Sequence, residues 1–172
     1  MNWDAIGAIG EIAGALAVVG TLAYLALQIK QNTNSAQSQS RQTLIDGWAK
    51  TQAELSREPE LLRIYACAIM RWSDLLNVEK TQFDVGMGQF LANLQNGILL
   101  RNAGMLDQAT LETTASFMLT ILRSEGGAKW WQETGLAWPE TRAYLDERLA
   151  QTGDGPTADE LVPHWMALAS EN

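Results

Sequence analysis

Residues 6–29 read IGAIGEIAGALAVVGTLAYLALQI. Tyr24 aside, Glu11 is the only ionisable side chain in this run, and Ile12 to Ile29 is eighteen residues without a charge. As a helix those eighteen span roughly 27 Å, close to the hydrocarbon thickness of a bilayer. Trp3 precedes the run, Tyr24 lies near its far end, and Lys30 closes it. Aromatic residues at both ends suit the two membrane interfaces.

A cleaved signal peptide fits this run poorly, because it needs a basic leader and a short apolar core. Met1 to Ala5 contains no Lys or Arg, and the run is too long. A type IV pilin precursor also has a basic leader, and its head is a sheet. A buried central helix of a soluble protein would need partners on every side, and the remaining helices look too few. The expectation is therefore an uncleaved transmembrane anchor over residues 1–30. Lys30, Arg41 and Lys50 follow it, whereas only Asp4 precedes it. Lys and Arg near a membrane end favour the cytoplasmic side. The N-terminus is thus expected outside and the rest in the cytoplasm, as a single-pass protein of the cell inner membrane.

Gly7, Gly10, Gly14, Ala17 and Thr21 recur at steps of three and four, so they share one helix face. Small faces let transmembrane helices approach closely, which makes these five the expected contact of a homo-oligomer. Ile12, Leu16 and Val19 face the other way and suit lipid. Glu11 reads as an interfacial carboxylate, favoured near a helix N-terminus. The alternative is an intramembrane carboxylate of a pore.

Residues 31–57 read as a membrane-proximal helix or linker; Gln31 to Ser40 has no Pro or Gly, so helical continuity into Arg41–Arg57 is the expectation, with Leu44, Ile45, Trp48 and Leu55 as a sparse apolar stripe. Glu58-Pro59 breaks it. Residues 58–151 read as a helical bundle. Its helices are Pro59–Trp72 with Leu61, Leu62, Tyr65, Ile69 and Trp72, then Val78–Ala103 with Phe83, Met87, Phe90, Leu91, Leu94 and Ile98. Gly86, Gly88 and Gly97 lie inside the latter and mark close helix packing. Gly104 suits a left-handed stop, and Asp107 or Thr110 caps the next helix, Leu111–Ser124. Gly126-Gly127 is expected to break that helix. Pro139 starts the last main helix, carrying Tyr144, Leu145 and Leu149. Residues 152–172 read as a loop and a short helix with Leu161, Trp165 and Leu168, opened by the capping-box pattern Thr157 to Glu160. No window alternates with period two, so the fold class is all-α: one transmembrane helix continuing into a cytoplasmic helical bundle.

The chemistry read from 172 residues is sparse. Net charge is −8, from 12 Lys+Arg against 20 Asp+Glu, which argues against nucleic-acid binding. Lys30–Arg57 holds four bases and two acids, but Gly104–Asn172 holds four bases and eleven acids. The basic part suits anionic head groups and the acidic end should lie away from them. A single Cys, Cys67, excludes an intramolecular disulfide and a cysteine-based zinc site. It suits a reducing compartment and reads as a small buried hydrophobe beside Ile64 and Met70. His164, the only His, reads as a surface residue. Phosphate-binding loops, HExxH and ExxH patterns are absent from the sequence. No catalytic residue, cofactor or metal is expected. Trp130-Trp131, with Trp138 following, is a candidate partner surface. Against that stands core packing by one indole and exposure of the other, which is the expectation.

The opening MNWDAIGAIGEIAGALAVVGTLAYLALQIKQNT resembles a family of small bacterial membrane proteins with a Trp-containing start, an AIGEI-like segment and a YLAxQI(R/K)QNT exit. The later GGAKWWQETGLAWPETRAYLDERL resembles that family's Gly-x-x-x-Trp-Trp segment and Pro-led helix. The resemblance implies a bacterial inner-membrane protein with a helical cytoplasmic part, and it implies no activity. The expected function is a membrane-anchored interaction or scaffold protein, homo-oligomeric, with lipid and an unidentified protein as partners. The alternative is an oligomeric pore or transport accessory lined by the N-terminal helices.

Overall fold

The computed structural model describes residues 3–134 and 137–170, and every regular element among them is helical. The chain divides into two units, Met1–Gln39 and Ser40–Asn172. Helix α1, Trp3–Arg57, contributes to both. No Pro interrupts it, and the hydroxyls of Thr21 and Thr51 bond back to the carbonyls of Ala17 and Gly47 without breaking it. It stops at Glu58, which is extended before Pro59.

Among its described residues the first unit is helix alone. An 18-residue window in it has a mean hydropathy of 2.0 and is 0% buried, so the helix is long and apolar enough to cross a membrane.

The second unit is built around α2, Pro59–Arg71. Ile64 to Ile69 are six consecutive buried residues. A helix apolar on all sides must be covered on all sides. The cover comes from α3 (Asn77–Asn102), α5 (Glu125–Thr134) and the C-terminal segment. Helices α4 (Gln108–Arg123) and α6 (Pro139–Thr152) pack on α3 and on each other. The short α7 (Ala158–Leu161) and α8 (Pro163–Ala167) follow. Ala169 in the terminal turn packs on α2, where its carbonyl accepts from the Arg71 guanidinium and the Cys67 thiol.

The stripe of α3 is buried as expected: Phe83, Met87, Phe90, Leu91, Leu94 and Ile98. So are Leu111, Met118, Ile121 and Leu122 of α4. Asp107 is the cap of α4, accepting from the Thr110 backbone N–H at 2.8 Å. Gly104 has φ +73°, the left-handed conformation expected of it. Cys67 is buried beside Ile64, and Met70 packs on the same core.

The stretch 31–57 is helical throughout, as expected, and Leu44, Thr51 and Leu55 are buried in the second unit. Three expectations need correction. Ile45 is exposed, because Leu44 takes the core position and the next residue turns about 100° away. Gly126-Gly127 does not end a helix but lies in the first turn of α5, the break falling at Ser124. A Cβ at Gly126 would overlap the carbonyls of Ala68 and Ile69, and one at Gly127 the carbonyl of Ile121. These glycines serve close backbone approach, not chain reversal. Gly86 and Gly97 likewise face Tyr65 and Leu111, but Gly88 has nothing near it. The side chain of Trp165, and residues Gly135 and Leu136, lie outside the described residues.

Candidate functional site

The five small residues of the N-terminal helix, Gly7, Gly10, Gly14, Ala17 and Thr21, are all exposed. A Cβ at Gly7, Gly10 or Gly14 would meet nothing within 4 Å. This face is an open strip of backbone, with Thr21 Oγ1 committed to Ala17 O at 2.8 Å. Ile12, Leu16 and Val19 on the opposite face are more than half exposed. Glu11 is exposed, about 100° round the helix from Gly10.

Trp130 and Trp131 behave differently from the expectation that one indole would be exposed. Both are buried in the second unit. Adjacent helical residues diverge by about 100°, but α5 is short and packed on α2, α4 and the turn at Trp72–Asp74, which covers both directions. Each buried N–H has a carboxylate: Trp130 Nε1 donates to Asp84 at 2.7 Å and Trp131 Nε1 to Asp146 at 2.8 Å. Trp72 Nε1 donates to Glu133 in the same way at 2.8 Å. Arg142 stands over the Trp131 ring, 5.2 Å from its centre. The pair is therefore core with polar anchors, not an open partner surface. Trp138 is half-buried against the same core.

A groove of about 450 Å³, which no sequence pattern announces, is formed by the end of α1 with α2 and α3. Leu55, Leu61, Val78 and Val85 form its apolar walls, and Tyr65 and Gly86 belong to its lining. The Tyr65 hydroxyl lies against Gly86, sealed from solvent and without a hydrogen-bond partner among the described residues. Burial pushes its pKa above the usual phenol range. Tyr65 and Gly86 meet across two helices, and sequence spacing carries no signal of that pairing.

His164 is exposed in α8. No group of three His, Cys, Asp or Glu is placed to hold a metal ion among the described residues. Comparison with family models, with curated proteins and with solved structures finds no match to this chain.

Proposed function

We propose that this chain is a membrane-anchored interaction protein that self-associates through its N-terminal helix. One observation carries the reading. From Ile6 to Ile29, ten Ile, Leu and Val side chains are each 45% or more exposed, left uncovered by the described residues. At ~2 kcal/mol per aliphatic side chain, covering them is worth roughly 20 kcal/mol. A bilayer supplies that cover along the whole run.

Within lipid, apolar side chains gain little by meeting each other, so helices associate where backbones come close. Gly7, Gly10, Gly14, Ala17 and Thr21 provide that approach, and Ile12, Leu16 and Val19 stay toward lipid. The Lys30, Arg41 and Lys50 bias supports an orientation with the N-terminus outside and the bundle in the cytoplasm. A bacterial inner membrane is the setting suggested by the resemblance of the two chain segments.

Crosslinking in membranes tests the seam. Gly14→Ile adds bulk without opposing insertion, so it should reduce the crosslinked oligomer while the protein stays membrane-bound. An oligomer unchanged by Gly14→Ile would mean that the helices do not meet through this face.

A further inference from the structure

The second unit holds another cleft, of about 480 Å³, between α4, the end of α6 and the 153–162 segment. Phe117, Pro156, Leu161 and Val162 give it apolar walls, and Leu161 is 57% exposed at its edge. Its ionisable lining is Glu112, Arg123 and Arg148. Arg148 pairs with Glu112 at 2.9 Å. Arg123 has no carboxylate partner among the described residues. Its Nη2 donates to Thr152 Oγ1 at 2.6 Å, its Nε is sealed without an acceptor, and its guanidinium packs against Gly155.

Arg123 is the last residue of α4, and Thr152 is the last of α6. Two helix C-termini make a cation stable there without an acid. They leave Nη1 with no partner among the described residues, beside an apolar cleft in a chain of net charge −8. Apolar walls with one uncompensated guanidinium complement an anion on an apolar body. Guanidinium is the side chain that best matches a planar carboxylate.

We propose that this cleft binds an amphipathic monocarboxylate, its carboxylate on Arg123 and its hydrocarbon part between Phe117, Pro156, Leu161 and Val162. The cleft size falls within the range of small-ligand sites. This inference is independent of the anchor reading, since every residue it uses lies in the second unit.

The test uses the full chain in lipid nanodiscs, dialysed against octanoate or octan-1-ol, with empty nanodiscs subtracted. Octanoate should bind saturably, one per chain, and octan-1-ol much more weakly. Arg123→Gln should weaken octanoate binding by about tenfold or more, the scale of a charged hydrogen bond. Leu161→Glu, at a position 57% exposed, should weaken octanoate through both charge repulsion and the lost apolar wall, and octan-1-ol less, through the lost wall alone. No excess over empty nanodiscs, equal binding of the acid and the alcohol, or wild-type binding by both variants would overturn the proposal.

Discussion

The indole N–H of Trp130 on α5 donates to the Asp84 carboxylate on α3 at 2.7 Å, so a buried donor at the centre of the bundle is satisfied from another helix. Phe83, next to Asp84, meets the Trp130 ring edge-on at 5.3 Å. One turn of α3 therefore fixes both the face and the polar end of this side chain.

Asp84→Ala should accordingly destabilise the second unit by about 1–3 kcal/mol, the cost of leaving a buried donor unmade. Asp84→Asn keeps an acceptor and should cost less. Denaturant unfolding followed by tryptophan fluorescence measures both; equal stability of Asp84→Ala and wild type would refute the role of this bond.

Gly126→Ala separates helix propensity from packing. Propensity favours Ala by ~1 kcal/mol in a helix. The added Cβ, however, would overlap the Ala68 and Ile69 carbonyls of α2. Backbone cannot move aside cheaply, so the variant should lose stability by about 1–3 kcal/mol or more. A stabilised Gly126→Ala would mean that α5 and α2 are not in close backbone contact.

Tyr65 and Gly86 should be coupled. The Tyr65 hydroxyl lies where a Gly86 Cβ would stand, and it has no partner among the described residues. Tyr65→Phe should therefore be nearly neutral or stabilising. Gly86→Ala should be harmful with Tyr65 and much less so with Phe at that position. A double-mutant cycle of unfolding midpoints reads the coupling; additive effects would contradict the contact.

Acid should weaken the start of α4. The Thr110 backbone N–H, then the Thr110 hydroxyl, then Arg41 at 2.6 Å hold the Asp107 pKa at about 2, below its ordinary 3.8. A carboxylate lowered by folding stabilises above its unfolded value and loses that contribution as pH falls through the folded value. The melting temperature should drop between about pH 4 and pH 2 in wild type, and the Asp107-dependent part should vanish in Asp107→Asn. Parallel profiles for the two proteins would remove Asp107 from the pH response.

Helices whose one face is buried were readable from sequence, α3 most clearly through Phe83, Met87, Phe90, Leu94 and Ile98. Caps were readable too, because Asp107 and Gly104 act through local geometry. Helix α2 was located from sequence, but its burial on every side was not: Ala66, Cys67 and Ala68 are weakly hydrophobic, yet they are buried where Gly126 lets α5 approach. The same approach turned two expected breakers into packing residues and enclosed both Trp130 and Trp131. Arg123 carried no signal in the sequence. Its lack of an acidic partner emerges only when α4 and α6 end side by side. The N-terminal small-residue face was read from spacing alone, and the structure leaves it open.

The central claim, a bilayer-embedded N-terminal helix that meets its own kind through its small face, is tested most directly by spin-label accessibility. Single labels at successive positions 12–22, on a Cys67→Ala background in lipid bilayers, would be probed with oxygen and with a water-soluble nickel complex. An embedded, self-associated helix predicts high oxygen and low nickel access throughout, with oxygen access dipping and spin–spin broadening rising at Gly14, Ala17 and Thr21. Nickel access along the helix, or oxygen access without that periodic dip, would contradict it.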